Sequence, residues 1–322
     1  MRNILISVVL AAVLVGLPWL LKQADTEPHQ DRVGKAERWS KGFPFGEESQ
    51  AEVLETGLED VRGVACDSKG TIYLAEGGGQ MLQFPAVQPS KDSKLDEPEN
   101  ADLRGLAFAG HDLLIAEHAR GRVMQAGSDA VATTVTGPVG LAAISGALFV
   151  TDDRPWPASG EAASFDSTDY SRWLGQASQR VFGAVWQCAA GGGACEQVAN
   201  QLRHPSGIAV TSEDGPVYVA ESDAHEVRWA IFAKGKEGKW QPAGALGSAS
   251  ADGVALPAFL GVAVDHDLVY AAGPNSLYVL SPKDGMLGRI VFDEPVSGVA
   301  ANGGYVYLIA GHRLCRLKPR TR

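Results

Sequence analysis

The chain has 322 residues with 28 basic and 38 acidic side chains, a formal net charge of −10. That balance excludes broad nucleic-acid binding, which needs a basic footprint, and docking on anionic lipid. Hydrophobic content of 45% is ordinary for a globular protein, and 38 glycines with seven tryptophans suit a turn-rich all-β fold.

Residues Ile4 to Leu21 are almost wholly apolar, with Arg2 before them and Lys22 after. A stretch of this length is near the lower limit for a membrane-spanning helix. It also fits a secretion signal, but Lys22 sits where cleavage after Ala24 wants a small residue. Residues 1–22 are therefore expected to be an uncleaved signal anchor, with a cleaved signal peptide and secretion as the alternative. Either places the rest of the chain outside the cytoplasm, in a periplasm, a lumen or the cell exterior. Residues 23–47 are polar and charged, show no strand pattern, and read as a flexible tether.

Glu52 to Leu58 reads as a strand, and six copies of one pattern follow it. Each copy is a glycine with small apolar neighbours, a short turn, and a β-branched or aromatic strand. The glycine segments are Arg62-Gly63-Val64-Ala65, Arg104-Gly105-Leu106-Ala107, Val139-Gly140-Leu141-Ala142, Ser206-Gly207-Ile208-Ala209, Leu260-Gly261-Val262-Ala263 and Ser297-Gly298-Val299-Ala300. The strands after them begin at Ile72, Leu113, Leu148, Val217, Leu268 and Tyr305. A repeat of about 40 to 50 residues built this way is the signature of propeller blades. The expectation is a six-bladed β-propeller over residues 48–322, with Glu52 to Leu58 completing the last blade and closing the ring.

Two departures from the repeat carry expectations of their own. Pro89 to Asn100 is charged, lacks apolar alternation and reads as an exposed loop. Residues 153–180 form a long insertion in the third blade containing Trp156, Phe165, Tyr170 and Trp173. Loops of that length are usually functional or disordered, and this one is rich in aromatics, so it reads as a lid or pocket wall. The alternative is a packed surface loop.

Four cysteines agree with an oxidising compartment. Cys188 and Cys195 flank Ala-Ala-Gly-Gly-Gly-Ala, a hairpin loop that brings them within bonding distance, so a disulfide is expected there. Cys66 and Cys315 fall in the first and last blades; they are either a bond that ties the ring's ends together or two buried thiols.

The strings His204-Pro-Ser-Gly-Ile-Ala-Val210, Val217-Tyr-Val-Ala-Glu-Ser222 and Glu226-Val-Arg-Trp229 closely resemble the senescence-marker and gluconolactonase propellers and their strictosidine-synthase-like relatives. So does the tail from Val299 to Leu317. The resemblance covers about residues 52 to 318, and NHL-repeat propellers share its Gly-Val-Ala and Tyr-Val-Ala strings. Thr151-Asp152 followed by a long insertion suits the strictosidine-synthase-like branch, some of whose members carry an N-terminal membrane anchor.

The resemblance implies a divalent cation such as Ca2+ or Zn2+ in the central channel, held by a glutamate, an asparagine and an aspartate just before the repeat's glycine. Hard divalent ions need such oxygen ligands. Those three positions here hold Arg62, Ser206 and Leu260, and the position of a substrate-contacting asparagine holds Val139. The catalytic glutamate of the strictosidine-forming relatives falls at about Ser297. A guanidinium repels a cation, so no metal or other cofactor is expected.

Arg62 and Arg104 should both point at the channel mouth. They could bind a carboxylate or phosphate ligand bidentately, with Ser206, Ser297, Trp156 and Trp173 as further ligand-binding candidates. Alternatively they pair with Glu76, Glu117, Asp152 and Glu221, which end the neighbouring second strands, and plug the channel. No Gly-x-Ser-x-Gly, phosphate-loop or His-Glu-x-x-His motif occurs. His118, beside Glu117 and near Asp152, is the remaining catalytic candidate. The expected function is a membrane-anchored, extracytoplasmic, monomeric propeller that binds a small, anionic ligand or a protein partner. The alternative is a lactone or ester hydrolase with a non-standard site.

Overall fold

A computed structural model describes residues 32–85, 93–95, 101–128, 130–153, 183–223, 225–251, 256–257 and 259–320. These form six antiparallel sheets of four or five strands, following one another in chain order. Each sheet is one blade, and the fold is a six-bladed β-propeller. The inner strands are Val61–Cys66, Leu103–Ala109, Pro138–Ile144, Ile208–Val210, Val262–Asp265 and Val296–Asn302. Each lies at the end of its sheet, paired on one side only. The segment Ala51–Glu55 pairs with Arg313–Leu317 and completes the last blade, as the sequence led us to expect.

The repeated glycines have a steric cause. A Cβ built on Gly63 would overlap the carbonyl oxygen of Arg104 in the next blade. Gly105 stands in the same relation to Val139, Gly140 to Ser206, and Gly207 to Leu260. A Cβ on Gly261 would meet the Val299 nitrogen, and one on Gly298 would meet the Val64 side chain at 2.8 Å. At this level five of the six blades meet the next one backbone to backbone, and the sixth meets the Val64 side chain of the first, so an added side chain has no room. Two of the contacts are hydrogen bonds, Gly207 N–H to Leu260 O at 2.8 Å and Gly261 N–H to Ser297 O at 2.5 Å.

Hydrophobic clusters fill the gaps between blades. Ala75 and Met81 of the first blade pack on Leu106 and Ile115 of the second, and Phe149 and Val185 of the third pack on Val219 and Phe232 of the fourth. Leu74 and Phe84 meet Tyr307 and Ile309 across the seam between first and last blades. The buried Trp229 ring lies 4.8 Å from Tyr278 across the fourth and fifth blades. Such burial supplies most of the favourable free energy of the fold.

One expectation needs correction. Lys35–Arg38, inside the segment read as a flexible tether, is a strand on the outer edge of the fifth blade, paired with Gly285–Val291. Glu37 accepts a hydrogen bond from Arg289 Nε at 2.8 Å. Residues 1–31, including the apolar run Ile4 to Leu21, lie outside the described residues. Among the described residues no helix is long and apolar enough to cross a membrane.

Cys188 and Cys195 are joined by a disulfide, as expected. Cys66 and Cys315 are free thiols. Of the stretch Pro89 to Asn100, Ser93–Leu95 is a short outer strand rather than loop, and its flanks lie outside the described residues.

Candidate functional site

All six inner strands start at the same face of the disc, and the pre-glycine residues mark that mouth of the channel. Asp60 and Arg62 lie two residues apart at the start of one strand, and Asp102 and Arg104 at the start of the next. The two-residue spacing leaves each carboxylate within hydrogen-bond reach of its guanidinium. Asp60 holds a left-handed backbone with φ 47°, a conformation aspartate tolerates.

The result is one connected network. Arg62 donates from Nε and Nη2 to the two oxygens of Asp60, at 2.9 and 2.6 Å, and from Nη1 to Asp102 Oδ1 at 2.6 Å. Arg104 donates from Nε and Nη2 to Asp102, at 3.3 and 3.2 Å, and from Nη1 to Asp153 Oδ2 at 3.0 Å. His118 sits between two carboxylates, with Nδ1 3.1 Å from Asp102 and Nε2 2.7 Å from Asp153. Only the doubly protonated imidazolium donates from both nitrogens. The Arg62–Asp102 and Arg104–Asp153 bonds cross from first to second and from second to third blade.

Arg104 and Asp153 are buried, and Asp102 keeps 13% of its side-chain surface. Burial pushes the Asp102 carboxyl up, but the His118 hydrogen bond and Arg104 outweigh it and hold the group below the usual carboxylate range. The same contest, with His118 and Arg104 prevailing over burial, lowers Asp153. Burial lowers His204, on the next blade, against the opposing pull of Asp153 and Asp223.

The other sequence-derived candidates fall around this network. Glu117 is fully buried and ion-paired with Arg120 at 2.9 Å and with Arg122. Asp152 accepts the Gly137 N–H at 3.0 Å, and Glu221 holds Arg228 at 2.6 Å. Arg62 and Arg104 are thus paired with Asp60, Asp102 and Asp153. Ser206 Oγ donates to the Leu260 carbonyl at 3.2 Å and accepts its N–H at 3.3 Å. Ser297, Val139 and Leu260 are buried at the mouth. Thr151 Oγ accepts the Gly140 N–H at 2.7 Å and donates to Ser206 O at 2.6 Å, bridging third and fourth blades. Trp156, Trp173 and the loop 153–180 beyond Asp153 lie outside the described residues.

Sequence reasoning passed over Asp60, Asp102 and Asp153. The available signal was the doublet Asp60-Val-Arg62-Gly63 and Asp102-Leu-Arg104-Gly105, the same Asp-x-Arg-Gly string in two adjacent blades.

No protein-family model matches the sequence, and neither does any curated protein. Solved structures do match. A gluconolactonase from Xanthomonas campestris is 17% identical, with 91% of this chain and 99% of that one covered at a TM-score of 0.65. The fold is shared with the gluconolactonase propellers. Regucalcin from Agrobacterium tumefaciens, a calcium-binding protein, is 14% identical over 87% of this chain and 98% of its own, with a TM-score of 0.59. A PQQ-bound aldose sugar dehydrogenase from Streptomyces coelicolor is also 14% identical, covering 90% of this chain and 99% of that one at a TM-score of 0.60. The same gluconolactonase-like ring therefore hosts different chemistry, and function has to be argued from the mouth itself.

The residues at the implied ligand positions do not fit a divalent cation. Arg62 is cationic and held between two carboxylates, the Ser206 hydroxyl is engaged by the Leu260 backbone, and Leu260 offers no side-chain oxygen. Among the described residues no cluster of three or more histidine, cysteine, aspartate or glutamate side chains is arranged to hold a metal.

Proposed function

We propose that this protein is an extracytoplasmic, membrane-anchored propeller of gluconolactonase-like fold that works as a binding module for a small anionic ligand or a protein partner. The observation that carries the reading is the Arg62 guanidinium, held by Asp60 and Asp102 at the position the resemblance assigns to a metal-ligating glutamate. A cation entering there would have to displace the Arg62 guanidinium from Asp60 and Asp102 and would be repelled by its charge. The Cys188–Cys195 disulfide and the apolar run Ile4 to Leu21 support an anchored protein facing an oxidising compartment.

Asp60 is the most exposed carboxylate of the network, at 54% of its side-chain surface, against 25% for Arg62. A ligand carboxylate or phosphate would enter by displacing Asp60 from the Arg62 fork, exchanging one bidentate partner for another. The hydrolase alternative would require His118 to leave one of its two carboxylates before acting as a base.

The test is calorimetric titration with calcium, zinc and manganese, beside a lactone and aryl-ester activity panel with and without chelator. No metal binding at the mouth and no chelator-sensitive turnover are expected, and Asp60→Asn should tighten binding of a carboxylate probe such as gluconate. Micromolar metal binding that Asp102→Asn or Asp153→Asn abolishes, with chelator-sensitive lactonase activity, would overturn the reading.

A further inference from the structure

The channel behind the charged mouth is a separate compartment. It holds about 260 Å3 and is open to solvent, and its lining at the mouth end stops at Gly105, Gly207 and Gly261 of the glycine ring, with Phe259 beside them. Arg62, Arg104, Ser206 and Ser297 do not line it. Its middle carries one alanine from each blade: Ala65, Ala107, Ala142, Ala209, Ala263 and Ala300. At the far end the lining is Cys66, Phe108, Ala143, Val210, Val264 and Ala301, all partly exposed. Among the described residues no charged side chain lines the cavity. Burial, helped by Asp67, pushes the Cys66 thiol up to about 12 against the Asn302 hydrogen bond, so it too is neutral.

Two physical facts define what such a space accepts. The inner strands pair on one side only, so their unpaired N–H and C=O groups face the axis and need hydrogen-bond partners. The side chains, by contrast, offer only apolar surface, and a charged ligand would lose its hydration without a counter-ion. The lining therefore suits an uncharged molecule with an apolar ring or chain and one or two hydroxyl or carbonyl groups.

We propose that the central channel binds a small uncharged amphipathic molecule, of the phenol class, entering through the mouth opposite the charged network. This site is distinct from the Arg62 mouth, and its test does not depend on what that mouth binds.

The probe is 2-naphthol, followed by its own fluorescence, with alkylation of Cys66 as a positional readout and the buried Cys315 as internal reference. Saturable one-site binding is expected, with a Kd on the order of 100 µM from usual ligand efficiencies. Bound 2-naphthol should slow Cys66 alkylation at least threefold. Ala263→Phe, which fills the middle of the channel, should weaken binding at least tenfold, and Arg62→Ala should change it less than twofold. Where Ala263→Phe does not fold, Ala301→Leu at the half-exposed far rim serves the same purpose. Non-saturable binding, an unchanged Cys66 rate at saturation, or a folded channel-filling variant with wild-type affinity would each overturn the proposal. So would loss of binding in Arg62→Ala alone, which would move the ligand to the charged mouth.

Discussion

Asp102→Asn tests whether the mouth network holds the first three blades together. The carboxylate faces two guanidinium groups and an imidazole, Arg62 at 2.6 Å, Arg104 at 3.2 Å and His118 at 3.1 Å. Asparagine keeps the shape, removes the charge, and turns an NH2 group toward donors. Stripping one partner from a buried ion pair costs about 3–5 kcal/mol. Here each partner retains another carboxylate, Asp60 for Arg62 and Asp153 for both Arg104 and His118. The expected loss is therefore smaller, about 2–3 kcal/mol, which corresponds to roughly 5–10 °C in Tm at about 2–4 °C per kcal/mol.

The pH dependence has a definite sign. The Asp102 carboxyl lies below its ordinary value in the folded protein. Its contribution is therefore complete above the unfolded-state value near 4 and fades as pH falls below it. Urea unfolding of wild type and Asp102→Asn at pH 7 should show the full gap, and the gap should narrow from about pH 4 downward. Asp60→Asn, at a side chain 54% exposed, is the reference and should cost under about 1 kcal/mol. If Asp102→Asn costs no more than Asp60→Asn, or if the gap is the same at low pH, the network does not hold the blades.

Further outcomes follow from the ring itself. Gly140→Ala places a methyl on the Ser206 carbonyl and should abolish folding, whereas Gly78→Ala, with nothing within 4 Å, should stay within about 0.5 kcal/mol of wild type by thermal melting. Thr151→Ala removes the group between the Gly140 N–H and the Ser206 carbonyl; leaving them buried should cost about 1–3 kcal/mol in urea unfolding. Cys188→Ser with Cys195→Ser opens a loop with a sequence separation of 7, and chain entropy sets that cost at about 2 kcal/mol, read as a lower urea midpoint with an unchanged slope.

Blade number and ring closure were legible because sterics write them into the chain. Only glycine fits where Arg104 O or Ser206 O packs on the preceding blade, so one glycine per blade survives at readable spacing. The mouth was half legible. Arg62 and Arg104 were found through their place before those glycines, but their partners were sought among acids ending the second strands. Asp60 and Asp102 instead stand just before the strands that carry the arginines, and Asp153 lies one residue past the strand Ala147–Asp152. The strand Lys35–Arg38 was missed because it is held by backbone pairing and one Glu37–Arg289 contact, with Ala36 its one buried residue. An edge strand with polar side chains lacks the alternation that marks a strand in sequence.

That edge strand, together with Ala51–Glu55, gives assembly a direction in time. Lys35–Arg38 pairs with Gly285–Val291, and Ala51–Glu55 with Arg313–Leu317, so the earliest-made strands of the ring dock on nearly the last. On a ribosome the leading segment emerges long before either partner exists. Blades one to four can form as local hairpins while it waits, and these fold early because their contacts are close in sequence. The fifth blade cannot be completed until Gly285–Val291 has emerged, nor the sixth until Arg313–Leu317 has. A truncation that removes Arg313–Leu317 should leave both ends of the chain unsatisfied, exposing strand edges that invite pairing between molecules.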